Sequence, residues 1–219
     1  SELSDNIEVL RFLQPLPIQK YINFINFNPY STFEGLRKNA DYLYEYGDIM
    51  HYFSKLLIYK GTSVYKTVYS DGLFLYKDAQ GNNQYSFKDD RIQKLYGFMN
   101  AYRMRSSSHL NGLLALEKYL RVLPLQIQFL KQYVPLDETV TLDGLFAQYK
   151  QIKKEADNVF YHWYLLLLDN YKTAAGISGF KIVKQTQLDK KIEYYLERFK
   201  TMTKMLYKIV ITHHIEVVI

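Results

Sequence analysis

Two arginines, three serines and a histidine stand together in the stretch 101–112, AYRMRSSSHLNG. A guanidinium holds a phosphate or carboxylate through paired N–H donors, and an imidazole exchanges protons near neutral pH. Arg103, Arg105 and His109 therefore have the types needed to bind an anion and to act on it as acid or base. Serines ahead of a helix do plainer work, because their hydroxyls accept hydrogen bonds from its first amides. Ser107 or Ser108 would cap the helix that follows, and the expected role of the stretch is a structural junction. Arg103 and Arg105 are its candidate anion-binding residues, and no residue is assigned as catalytic.

The alternative is chemical. The spacing from Arg103 to His109 is similar to the arginine-to-histidine motif of HEPN-type helical ribonucleases, with Met104 standing where that motif carries a polar residue. The resemblance covers those two residues. It implies a helical protein that cleaves RNA, or binds nucleic acid, through Arg103 and His109.

Other constellations carry less. Glu45, Asp48 and His51 recur every third residue on what reads as one helix, where a cation could meet them. A carboxylate-bridged dimetal site needs a matching Glu-x-x-His on further helices, so this face is expected to be solvated and no metal site is assigned. His213 and His214 are adjacent, and adjacent residues of a strand point to opposite sides, so no chelate is expected. No glycine pattern forms a phosphate loop or a nucleophile elbow. The chain has no cysteine, which removes thiol catalysis, disulfides and cysteine-held zinc, and no cofactor is expected.

Composition turns attention to the aromatics. The 219 residues include 22 tyrosines and 13 phenylalanines, rings that serve both cores and half-wet contact surfaces. Tyr42 and Tyr46, within the run Tyr42-Leu43-Tyr44-Glu45-Tyr46, are candidate binding residues. A net charge of +6 favours an anionic partner, but the lysines are scattered along many segments. The expected partner is an unidentified protein or an anionic ligand, with nucleic acid as the weaker choice. The longest apolar run, residues 161–168, is far short of the roughly 20 residues that span a bilayer. A soluble chain is expected. It begins at Ser1 with no initiator methionine, which leaves open a cytoplasmic location or export after removal of a signal.

The elements that would hold these residues read mainly as helices. Ser4-Asp5-Asn6 starts a short one, and a second is expected from Pro17 through Ile25. Ser31 and Glu34 have the spacing of a capping box, after which the stripe Phe33, Leu36, Ala40, Leu43, Met50, Phe53 and Leu57 predicts one long helix to about Tyr59. Alternation over Val64–Tyr69 and Leu73–Tyr76, with Asp71-Gly72 between, predicts a β-hairpin, and Gln80–Asn83 a further turn. Helical spacing resumes at Ile92–Tyr102 and Leu110–Leu120, with stops at Pro124 and Pro135. It returns in long helices over Leu142–Leu167 and from about Thr186 to Ile209, ahead of a final strand or frayed helix end. The fold class is mainly α, a multi-helix bundle with a β-hairpin inserted at about residues 63–87. Residues 1–219 are expected to form a single helical domain, with a subdivision near 136–139 left open. The function that follows is a non-enzymatic helical binding module working through amphipathic, aromatic-rich helix faces.

Overall fold

Helical periodicity governs most of the chain. In the computed structural model, which describes residues 3–13, 23–107, 112–173 and 177–213, it produces α1 (Leu3–Leu13), α2 (Phe33–Tyr46), α3 (Ser63–Ser70), α4 (Asp90–Ser107), α5 (Leu113–Leu130), α6 (Leu136–Lys172) and α7 (Ile177–Thr212). One antiparallel sheet accompanies them, made of β1 (Phe74–Lys77) and β2 (Asn83–Tyr85). The chain is a helical bundle with an inserted β-hairpin. It divides into two compact units: Ser1–Ile22, Ser106–Asn158 and Gln187–Ile219 form the first, and Asn23–Arg105 with Val159–Thr186 the second. Among the described residues, no helix is long and apolar enough to cross a membrane.

In the second unit, α2 ends much earlier than its apolar stripe suggests. Thr32, not Ser31, accepts the amide of Gly35 at 3.1 Å, because the Ser31 hydroxyl is taken by the amide of Asn28 at 2.8 Å. At the other end Gly47 donates to the Leu43 carbonyl, and a Cβ there would sit 2.5 Å from a Leu43 methyl. Only glycine lets the chain turn away so tightly. A short 3-10 helix, Ile49–Phe53, follows in place of the expected continuation. Residues 23–26 are not helical either, and the rest of the helix expected near Pro17 lies outside the described residues.

The hairpin is present, but its first expected strand is a helix. Val64–Tyr69 lies in α3, where the Thr62 hydroxyl accepts the amide of Tyr65 at 3.2 Å and Val68 is buried. The spacing of Val64, Tyr65, Val68 and Tyr69 satisfies a helical period as well as an alternating one, and the cap decides between them. Asp71-Gly72 then closes the helix. Leu73 donates to the Val68 carbonyl and Gly72 to that of Tyr69, the two bonds of a Schellman cap, with Gly72 at φ +69°. The strands pair Phe74 with Tyr85 and Lys77 with Asn83, with a bulge between Phe74 and Tyr76. The turn falls at Asp78–Asn82, where Gly81 has φ +80°, in agreement with the turn expected over Gln80–Asn83.

The first unit is built on longer apolar stripes. α5 buries Leu113, Leu116, Leu123, Ile127 and Leu130, and it runs through Pro124 where a stop was expected. Proline lacks the amide that would bond to the carbonyl four residues back, Leu120. The Tyr149 hydroxyl donates to that carbonyl at 2.7 Å and fills the missing place. Tyr149 itself packs at 6.2 Å from the Phe199 ring, which stacks on Tyr119. α7 contributes Leu188, Ile192, Leu196, Phe199, Met202 and Leu206 to the core. It begins at Ile177, inside the segment 174–179 expected to break the helices, and it continues to Thr212, so no strand precedes His213. Residues 214–219, with His214, lie outside the described residues.

Candidate functional site

The junction splits at its most informative point. Arg103 and Arg105 sit in the last turns of α4, Arg103 half-buried and Arg105 exposed, and α5 begins at Leu113 with Gly112 as its N-terminal flanking residue. Residues two positions apart on a helix lie about 200° apart around its axis, so the two guanidinium groups leave α4 in different directions. Burial pushes the Tyr96 phenol above its ordinary value, and the positive charge of Arg103 draws it partly back, which places Arg103 beside Tyr96. His109, Ser108 and the side chain of Ser107 lie outside the described residues.

Tyr42 and Tyr46 belong to a stack. The Tyr42 ring is 5.2 Å from that of Phe24 with 17° between planes, and 5.3 Å from that of Tyr46. Both are half-buried, and burial, then the neighbouring Tyr46, raises the Tyr42 phenol. The more exposed ring on this helix, Tyr44, packs 4.7 Å from Tyr161, whose hydroxyl donates to Asp41 at 2.7 Å.

Glu45, Asp48 and His51 do not share a helix face. α2 stops at Tyr46, and His51 is buried in the 3-10 helix, where its Nδ1 accepts the Asp48 amide at 3.0 Å. The imidazole is thus used as a cap. Among the described residues no group of three or more His, Asp or Glu side chains converges as a metal site would require. His213 faces Glu138 at 3.5 Å.

Two arrangements in the second unit lie outside every motif that the sequence offers. The first surrounds Asn26, which is 0% exposed. Its side-chain amide donates to the Tyr52 carbonyl and to the Tyr164 hydroxyl, each at 2.9 Å, its own amide donates to Ser54 at 2.9 Å, and Asn39 donates to its oxygens. Beside it the Phe27 amide donates to the Ser54 carbonyl and the Leu56 amide donates to the Phe27 carbonyl, a parallel bridge to Lys55 that brings its side chain among aromatic rings. The Lys55 ammonium lies 4.0 Å from the Tyr85 centroid, 5.1 Å from Tyr96 and 5.6 Å from Phe87, with the Gln84 side-chain oxygen at 3.3 Å. Burial lowers its pKa, and the ring faces supply the attraction that a carboxylate would otherwise give.

The second arrangement is on the surface of α3 and the hairpin. The Tyr65 ring stacks along Tyr69 at 12° and meets Phe74 at 4.8 Å, while Tyr69 reaches Phe74 at 6.3 Å. Tyr69 is 69% exposed, Tyr76 66% and Tyr59 62%, with Leu57 and Leu75 exposed beside them in sequence. The pairing of Ile58 with Asn83, and of Asn83 with Lys77, brings the 57–60 segment to the edge of the sheet. The turn is held by Asp78, whose carboxylate accepts from the Asn82 and Gln80 amides and from the Gln84 side chain at 2.8 to 3.0 Å. Burial alone would raise this carboxyl, but those hydrogen bonds outweigh it and hold it below its ordinary value. The density of tyrosines between Tyr59 and Tyr76 was the available signal, hidden because those residues also satisfied a strand pattern.

No protein-family model, curated protein or solved structure matches this chain.

Proposed function

We propose that this chain is a non-enzymatic helical binding module that meets its partner through exposed aromatic side chains. The observation that carries the reading is Tyr69 on α3, more than half exposed against a packed Tyr65–Phe74 pair, with Tyr59 ahead of α3 and Tyr76 on β1 exposed to the same extent. Large rings left in water cost the free energy that burial against a partner would recover, and aromatic side chains are enriched where proteins make contacts. Tyr194 and Tyr207, on different sides of α7, are further exposed rings in the first unit.

The charge distribution supports an anionic or acidic partner. Fourteen Lys and Arg against nine Asp and Glu fall in the second unit, so five of the six net positive charges belong to it. The competing ribonuclease reading requires Arg103 and His109 to act on one phosphodiester. Incubation of the full chain with mixed RNA, beside a His109→Ala variant of equal thermal stability, separates the two. Intact RNA in both tubes is expected; cleavage that disappears with His109 would falsify the binding reading.

A further inference from the structure

We infer that the Lys55 amine is a covalent site for small neutral aldehydes, which it captures as an imine over the rings of Tyr85, Tyr96 and Phe87. A lysine attacks a carbonyl only as the free amine, and removal from water is what favours that form near neutral pH. Lys55 meets the requirement through its surroundings. Its ammonium stands over three ring faces, and its three N–H donors find two oxygens, the Gln84 side chain at 3.3 Å and the Tyr85 carbonyl at 3.5 Å. Among the described residues it makes no ion pair, and burial is the cause that lowers its pKa.

The rings hold one another in place. Tyr85 packs on Phe87 at 5.7 Å and Phe87 on Tyr96 at 5.4 Å, while Phe27 meets Phe87 at 6.0 Å and Tyr96 at 5.3 Å. The Tyr85 hydroxyl donates to the carbonyl of Leu56, the residue after Lys55, at 3.1 Å. The Gln84 side-chain nitrogen donates to Asp78 at 2.8 Å, so its oxygen is the end turned to the ammonium. Lys55 itself is half-buried and not sealed from water.

In the capture step the Nε lone pair attacks the carbonyl carbon, a C–N bond forms, and one amine proton passes to the oxygen. That oxygen then leaves as water with the second amine proton, and the imine takes up a proton from solvent. The resulting iminium keeps a positive charge for the ring faces and one N–H for Gln84, so the contacts that hold the ammonium also hold the product. An acyl donor would erase that charge. An anionic ligand paired with the ammonium would meet the negative faces of the same rings.

The test pulses the full chain with benzaldehyde and sodium cyanoborohydride near neutral pH, which traps each iminium as a secondary amine, and locates the adducts by peptide mass spectrometry. Lys55 should be labelled about threefold or more ahead of the exposed Lys60, Lys66 and Lys77, because each step of one in pKa changes the free amine about tenfold and the rings shield part of that gain. In urea the preference should vanish. Equal or slower labelling of Lys55 in the folded chain, or a preference that survives urea, overturns the inference. A second readout dispenses with benzaldehyde. After reductive methylation with carbon-13 formaldehyde, one dimethylamine resonance should be displaced by ring currents and lose its charge at lower pH than the exposed lysines. It should be missing from a Lys55→Gln variant whose circular dichroism matches the parent. A Lys55 resonance that titrates with the exposed lysines also overturns the inference. Neither failure touches the exposed tyrosines on which the binding reading rests.

Discussion

The interiors of the two units are ordered by different chemistry. Around Asn26 the second unit converges on hydrogen bonds, with Tyr52, Ser54, Asn39 and Tyr164 all spending polar groups on one buried amide. The first unit relies on aliphatic and aromatic layers from α5, the first part of α6 and α7, and a part-buried bond there, Tyr149 to Leu120, repairs a defect left by proline. The contrast shows where a residue is irreplaceable in kind and where only its volume counts. Apolar layers accept neighbours of similar size, whereas a satisfied polar node loses each of its partners when one member goes.

The sharpest way to break this contrast is to replace each centre with a residue of similar volume. Asn26→Leu should cost about 3 kcal/mol in denaturant unfolding, because the Tyr52 carbonyl and the Tyr164 hydroxyl would lose their buried donor and Asn39 one of its two acceptors. Ile127→Leu in the first unit should cost about 1 kcal/mol or less. Equal costs would show that the Asn26 node is no more than packing.

A smaller effect tests the repair at Pro124. Tyr149→Phe should cost about 1–2 kcal/mol by leaving the Leu120 carbonyl unpaired. In a Pro124→Ala background the new amide at position 124 takes over that carbonyl, and the same substitution should cost about 0.5 kcal/mol or less. Additive costs would remove the repair from the account of α5.

The smallest effect concerns the hairpin. The Asp78 carboxyl is held below its ordinary value, so the stability it lends is present above the carboxyl's unfolded pKa and is lost as pH falls through the lower, folded one. Amide hydrogen exchange at Asn82 and Gln84 should accelerate relative to α5 amides as pH drops below about 4, and Asp78→Asn should abolish that difference. A hairpin equally protected across this range, relative to α5, would show that the turn does not depend on the charge.

The same contrast explains what could be read in advance. In the first unit the apolar stripes of α5, α6 and α7 repeat over many turns, so the helices were legible, and the passage through Pro124 was missed because its remedy sits on another helix. In the second unit the decisive features are short and local. A cap at Thr62 turned Val64–Tyr69 into a helix, and a close approach at Leu43 made Gly47 the end of α2. The candidate residues followed suit: Tyr42 and Tyr46 were visible as a pattern, but their stacking on Phe24 was not, and Lys55 had no motif to mark it.

The Tyr149 hydroxyl at the Leu120 carbonyl also bears on the order in which this sequence could be assembled by single replacements. A proline entering position 124 while position 149 held phenylalanine would strand a carbonyl inside the bundle; entering after tyrosine, it would displace a donor that already had a substitute. The tyrosine is thus the permissive step and the proline the tolerated one. Reversal is one-sided for the same reason, since Pro124 can be given up at little cost while Tyr149 is present, and Tyr149 cannot be given up until Pro124 has gone.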